Sequence, residues 1–108
     1  MSVVFAYYGG NRMGKMEVLF RNEVTLDDDR IMRLEYKLTE NHSIDNEEPY
    51  YGIQIVKYLD DNLEMEEISG ISYSKDKVKS ITKILFQHIV TPITMVEIID
   101  DLITLEAV

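Results

Sequence analysis

The residues best placed to do chemistry come early, at 9–15, where Gly-Gly-Asn-Arg-Met-Gly-Lys follows an apolar run and matches the Gly-x4-Gly-Lys spacing of a phosphate-cradling loop. Such a loop needs a Ser or Thr hydroxyl for Mg²⁺ after the lysine, and a helix whose amino end faces the phosphates. Here Met16 stands in the hydroxyl's place and Glu-Val-Leu-Phe-Arg follows, which reads as a strand. We therefore expect a hairpin loop of ordinary turn residues and no nucleotide site.

The other reactive side chains fit structural roles. The two histidines, His42 and His88, are far apart in sequence; the first sits in a polar loop and the second at the end of a predicted helix, where it meets the last carbonyls. The carboxylate runs Asp27-Asp28-Asp29, Glu47-Glu48, Asp60-Asp61 and Asp100-Asp101 lack the alternating ligand spacing of a Ca²⁺ loop. Most fall in predicted turns, where Asp bonds its own backbone. With no Cys there is no thiolate zinc site, thiol nucleophile or disulfide, and no Gly-x-Ser-x-Gly elbow is present. No catalytic, cofactor-binding or metal-ligating residue is assigned, and we expect a protein that is not an enzyme and carries no cofactor.

Charge is more informative. The formal net charge of -9 repels phosphate backbones, so no direct nucleic-acid binding is expected. Lys75, Lys79 and Lys83 recur every four residues and so share one stripe of a helix, whereas Glu97, Asp100, Asp101 and Glu106 follow with no basic residue between 84 and 108. These faces of opposite sign either pair with each other, stay solvated, or form a bipolar docking surface. No signal-like leader opens the chain and no apolar run reaches the ~20 residues of a membrane span. The expectation is a cytoplasmic protein away from membranes.

A chain of 108 residues with 45% hydrophobic content can build one core, so 1–108 is read as a single α+β domain. The clearest strand is 32–38, where Met32, Leu34, Tyr36 and Leu38 alternate with Arg33, Glu35 and Lys37. Residues 50–59 place Tyr51, Ile53 and Ile55 on one face and Gly52, Gln54 and Val56 on the other. Asp60-Asp61-Asn62 turns the chain into 63–71, where Leu63 and Met65 are in phase but Ile68 is not; a bulge at Glu66-Glu67 would restore its inward face. Upstream, 15–26 and 3–8 read as strands, so 32–71 is the antiparallel heart and 1–29 adds to it. From 74 to 106 two helices follow. The first starts at Ser72 or Ser74 and carries Val78, Ile81, Leu85 and Ile89; the second opens with a Thr94-x-x-Glu97 capping box ahead of Met95, Ile98, Ile99, Leu102 and Leu105. The expected fold is an antiparallel sheet of three to five strands with two C-terminal helices packed on one face. Tyr36, Ile53, Ile55, Leu85, Ile98 and Leu102 should be buried together.

Tyr51-Gly52-Ile53, Ile68-Ser69-Gly70-Ile71-Ser72, Thr91-Pro92-Ile93 and Ile98-Ile99-Asp100-Asp101-Leu102 occur in an order that resembles a family of short proteins of unknown function from spore-forming Gram-positive bacteria. The resemblance runs from about Leu34 to Leu102. It implies a bacterial or phage origin and no particular activity.

The expected function is that of a small non-enzymatic regulatory or adaptor protein acting by protein-protein binding. Alternatives are an acidic inhibitor or modulator of a DNA-acting enzyme, and a small enzyme or ligand carrier without a recognisable motif. The interface is expected at Val3, Phe5 and Tyr7, from a run apolar on both faces, and at the acidic Glu97, Asp100 and Asp101. A strand with no charge or proline to guard it either pairs across a homodimer or partner interface, or lies in the middle of the sheet.

Overall fold

Strict alternation at 32–38 lies at the heart of the central strand of the molecule. The structure, a computed structural model, describes residues 3–8, 12–42 and 48–106, with side chains at 14–42 and 48–104. Strands β1 (Val3–Tyr8), β2 (Arg12–Thr25), β3 (Ile31–Asn41), β4 (Tyr50–Leu59) and β5 (Asn62–Ser72) are followed by helices α1 (Lys75–Gln87) and α2 (Pro92–Glu106). The strands form a meander in the order β1-β2-β3-β4-β5, each antiparallel to its neighbour. This is the α+β arrangement the sequence implies. Strand β1 therefore lies at a sheet edge, which overturns its placement in the middle of the sheet.

Both helices cover one face. Met32, Leu34, Tyr36 and Leu38 of β3 and Tyr51, Ile53 and Ile55 of β4 form the core with Val78, Ile81 and Leu85 of α1 and Met95 and Ile99 of α2. Of the residues expected at its centre, Ile98 and Leu102 lie at its margin, partly buried, because α2 is turned so that Met95 and Ile99 point straight down. The helix also begins earlier than a capping box at Thr94 requires. Pro92 occupies its first turn, where a missing N–H costs nothing, and the Thr94 hydroxyl donates to the Thr91 carbonyl at 3.4 Å.

The bulge in β5 is displaced from its expected position. Residues 62–68 pair with β4 in unbroken register, and the shift lies between Tyr51 and Ile53. Leu63 is thereby opposite Tyr58 and Met65 opposite Val56, on the face away from the helices, while Ile68 opposite Ile53 joins the core. Leu63 and Met65 are 52% and 56% exposed, which corrects the expectation that they point inward. Gly52 marks the shift: a Cβ there would lie 2.0 Å from the Ile68 carbonyl oxygen, so only glycine permits the approach.

Local chemistry fixes the helices. The Ser74 hydroxyl accepts from the Lys77 N–H at 3.2 Å and caps α1. At its other end the Ile89 N–H donates to the Phe86 carbonyl and the Val90 N–H to the Leu85 carbonyl, the pattern of a Schellman stop. Ile89 takes the left-handed conformation, φ 53°, that this stop usually gives to glycine. Asn22 of β2 donates to the Phe86 carbonyl at 2.9 Å, and the buried Tyr36 hydroxyl donates to the Val90 carbonyl at 2.9 Å. Together they tie the end of α1 to the sheet.

Candidate functional site

The packing of α1 decides where its lysines go. With Val78, Ile81, Thr82 and Leu85 buried beneath it, Lys75, Lys79 and Lys83 fall along the flank that faces β2. A hollow of about 120 Å³ is lined by Lys15, Met16, Glu17, Leu38, Glu40 and Lys75. A second, of about 390 Å³, is lined by Glu17, Leu19, Phe20, Lys79, Ser80 and Lys83. Glu17 borders both, so the two lie end to end along the groove between α1 and β2.

The floor of that groove depends on a bulge in β2. The register with β3 shifts between Val18 and Phe20, leaving Leu19 as the extra residue. Both Leu19 and Phe20 consequently pack against the helix-side core instead of one of them turning away. Phe20 stacks on Phe86 of α1 with ring centroids 4.7 Å apart, and Phe86 meets Tyr36 edge-on at 6.0 Å. The floor is apolar and held rigidly to the helix.

At the end nearest the start of α1 the groove is polar. Lys15 lies opposite Glu40 in the β2–β3 register, its Nζ 3.3 Å from Glu40 Oε2, and His42 Nε2 is 3.2 Å from the same oxygen. Burial, and then the Glu40 charge, push the nearby Tyr51 phenol above its ordinary pKa. The lysine of the phosphate-loop look-alike is thus an ion-pair partner on a strand, and the chain after it continues as β2 with no helix amino end. Gly9, Gly10 and Asn11 lie outside the described residues.

Among the described residues the two faces of opposite sign form no ion pair with each other. Among the described residues Lys75, Lys79 and Lys83 make no ion pair, nor do Glu97, Asp100 and Asp101, all exposed on α2. Helix α1 spans β2 to β5, while α2 rests on β4 and β5. Val3, Phe5 and Tyr7 belong to β1, opposite Glu17, Lys15 and Met13, and their side chains lie outside the described residues. Val3, Phe5 and Tyr7 thus lie on the edge strand of the sheet, and Glu97, Asp100 and Asp101 on α2, two elements that do not touch.

Elsewhere, several charges are paired. On the face away from the helices a cleft of about 190 Å³ is lined by Arg21, Glu23, Arg33, Glu35 and Tyr58. Arg21 bonds Glu35 at 3.0 Å, Arg33 bonds Glu23 at 3.3 Å, and the Tyr58 hydroxyl donates to Glu35 at 3.1 Å. The aspartates 27–29 and 60–61 occupy turns, where Arg30 bridges Asp28 at 2.7 Å and Asp60 at 2.9 Å. Among the described residues no group of three His, Asp or Glu side chains could hold a metal ion, and no helix is long and apolar enough to cross a membrane.

Sequence reading found the lysine stripe but missed Leu19, Phe20, Glu40 and the groove itself. A tight turn at 27–29 fixes Thr25 opposite Ile31, but that register alone would set Lys15 opposite Asn41; the bulge at Leu19 brings it opposite Glu40, and no local sequence signal marks that bulge. No curated protein and no solved structure matches the chain. A family match covers residues 15–105, which include every named groove residue, leave β1 outside, and extend well upstream of the Leu34 at which the resemblance began. On that match, the chain belongs to the family of unknown function DUF6514.

Proposed function

We propose that the protein is a small non-enzymatic adaptor or regulator that binds another protein segment in the groove between α1 and β2. One observation carries this reading: Lys79 and Lys83 stand unpaired, among the described residues, beside an apolar floor of Leu19 and Phe20 in a chain whose net charge is -9. A cationic wall over an apolar floor suits an acidic amphipathic segment, whose apolar side is buried while its carboxylates meet lysines at the rim. Absence of Cys and the resemblance to proteins of spore-forming Gram-positive bacteria support a setting in the cytoplasm of such a cell. The edge position of β1 offers a second route to protein contact, by strand pairing in a homodimer.

A photo-crosslinking side chain at Ser80, in the groove, and another at Glu67, on the opposite sheet face, test the reading in the host cell. Crosslinks to protein from Ser80 and not from Glu67 are expected, and they should weaken in Lys79→Glu/Lys83→Glu. Equal capture from both positions would contradict it.

A second reading, an acidic inhibitor of a DNA-acting enzyme, is favoured by α2, which exposes Glu97, Asp100 and Asp101 with no cation on the same helix. Salt-sensitive capture of a basic nuclease or recombinase that is lost in Glu97→Lys/Asp100→Lys would select it.

A further inference from the structure

We infer that the groove between α1 and β2 receives the outward stripe of α2 from a second copy of this chain, joining copies head to tail. This rests on the reading of that groove as a docking site and names its occupant. On α2, Ile93, Val96, Glu97 and Asp100 stand at i, i+3, i+4 and i+7, so they form one stripe along the helix. All four are exposed, Ile93 at 85%. Scattered apolar residues on a surface are ordinary. This stripe sets two apolar residues and two carboxylates in line on one helix face, and among the described residues the carboxylates have no ion-pair partner.

The groove is its complement. Leu19 and Phe20 offer an apolar floor to Ile93 and Val96, and Lys79 and Lys83 beside that floor offer opposite charge to Glu97 and Asp100. Inside one copy the two surfaces are kept apart by α1, which stands between the groove and α2 on the same side of the sheet. Only a second copy can bring them together. The groove and the stripe are different patches, so the contact is heterologous and does not close on itself at two chains. A nucleic acid is the weaker occupant, because a phosphate backbone has no apolar side to set on Leu19 and Phe20.

Sedimentation of the full chain and of full-length variants tests this. The wild type is expected to grow heavier with concentration, and less so as salt is raised. Lys79→Glu/Lys83→Glu and Glu97→Lys/Asp100→Lys should each weaken self-association by about tenfold or more, because like charges then face each other. Mixing the two variants, or combining all four reversals in one chain, should restore it, since each reversed surface again meets its opposite. All substituted side chains are exposed, so circular dichroism should show an unchanged fold. A wild type that stays monomeric at high micromolar concentration would overturn the inference, as would a mixture no heavier than its parts. Assembly that persists undiminished in both variants would overturn it too. Crosslinking from Ser80 to foreign proteins by a monomeric wild type would remove the self-assembly and leave the docking groove standing. Silence at Ser80 in that monomer would remove both.

Discussion

Strands β3 and β5 each span 11 residues and each alternate apolar with charged side chains, yet β3 buries its apolar set and β5 leaves Leu63 and Met65 in solvent. The difference does not lie in the strands. Alternation settles which residues share a face; register and the placement of the helices settle which face is covered. The short turn at Asp60 and Asp61 sets Leu59 opposite Asn62, and from that pairing Leu63 and Met65 must fall beside Tyr58 and Val56, on the face away from α1 and α2. Even on the helix side, Glu64 and Glu66 stay exposed, because the helices do not reach that end of β5.

The largest expected effect separates the two strands directly. Leu34→Ala in β3 should cost about 2–5 kcal/mol in chemical denaturation, as a deleted core side chain does, whereas Leu63→Ala in β5 should stay within about 0.5 kcal/mol. A comparable loss at Leu63 would mean that something covers the outer face and would falsify the contrast. Glycines sharpen it next. Gly52→Ala forces a Cβ into the Ile68 carbonyl and should cost about 1–3 kcal/mol or more. Gly70→Ala meets the Tyr50 ring at no less than 3.8 Å and should cost less than about 1 kcal/mol. Equal losses would show that the bulge relaxes freely.

Coverage of β3 also depends on α1 stopping where it does. Ile89→Gly relieves a β-branched residue held at φ 53° with little buried surface to lose, so thermal unfolding should show a gain of about 1 kcal/mol. A loss would mean that the Ile89 side chain holds the two helices together.

The smallest effect is electrostatic and sits on the outer face. Burial raises the pKa of Glu67, partly offset by a 3.0 Å hydrogen bond from Gln54 Nε2. A carboxyl raised in the folded state favours folding while it is protonated, and that contribution is lost as pH climbs through the folded value. Glu67→Gln should therefore be slightly more stable than wild type at neutral pH and equal to it in strong acid. A gain that is independent of pH would contradict this cause.

Much of the fold was legible because its determinants are local. The alternation at Met32 to Leu38, the stripe of Val78, Ile81 and Leu85, and the cap at Ser74 are each written within a few residues. The sheet edge at β1, the displaced bulge at Gly52 and the outward turn of Leu63 were not, since each depends on which strand lies alongside and where. The groove was half legible. Spacing alone puts Lys75, Lys79 and Lys83 on one line, but Leu19 and Phe20 break the period of two, and only the β2–β3 register shows why both face the helix.

The central claim, that the α1–β2 groove is where another protein segment sits, is tested most directly by acetylating lysines of the chain in its host extract and after purification and dilution to a concentration at which the chain is monomeric. Lys75, Lys79 and Lys83 should be protected in the extract, while Lys77, exposed on the other flank of the same helix, should react equally in both. Equal reactivity of all four in both preparations would contradict it.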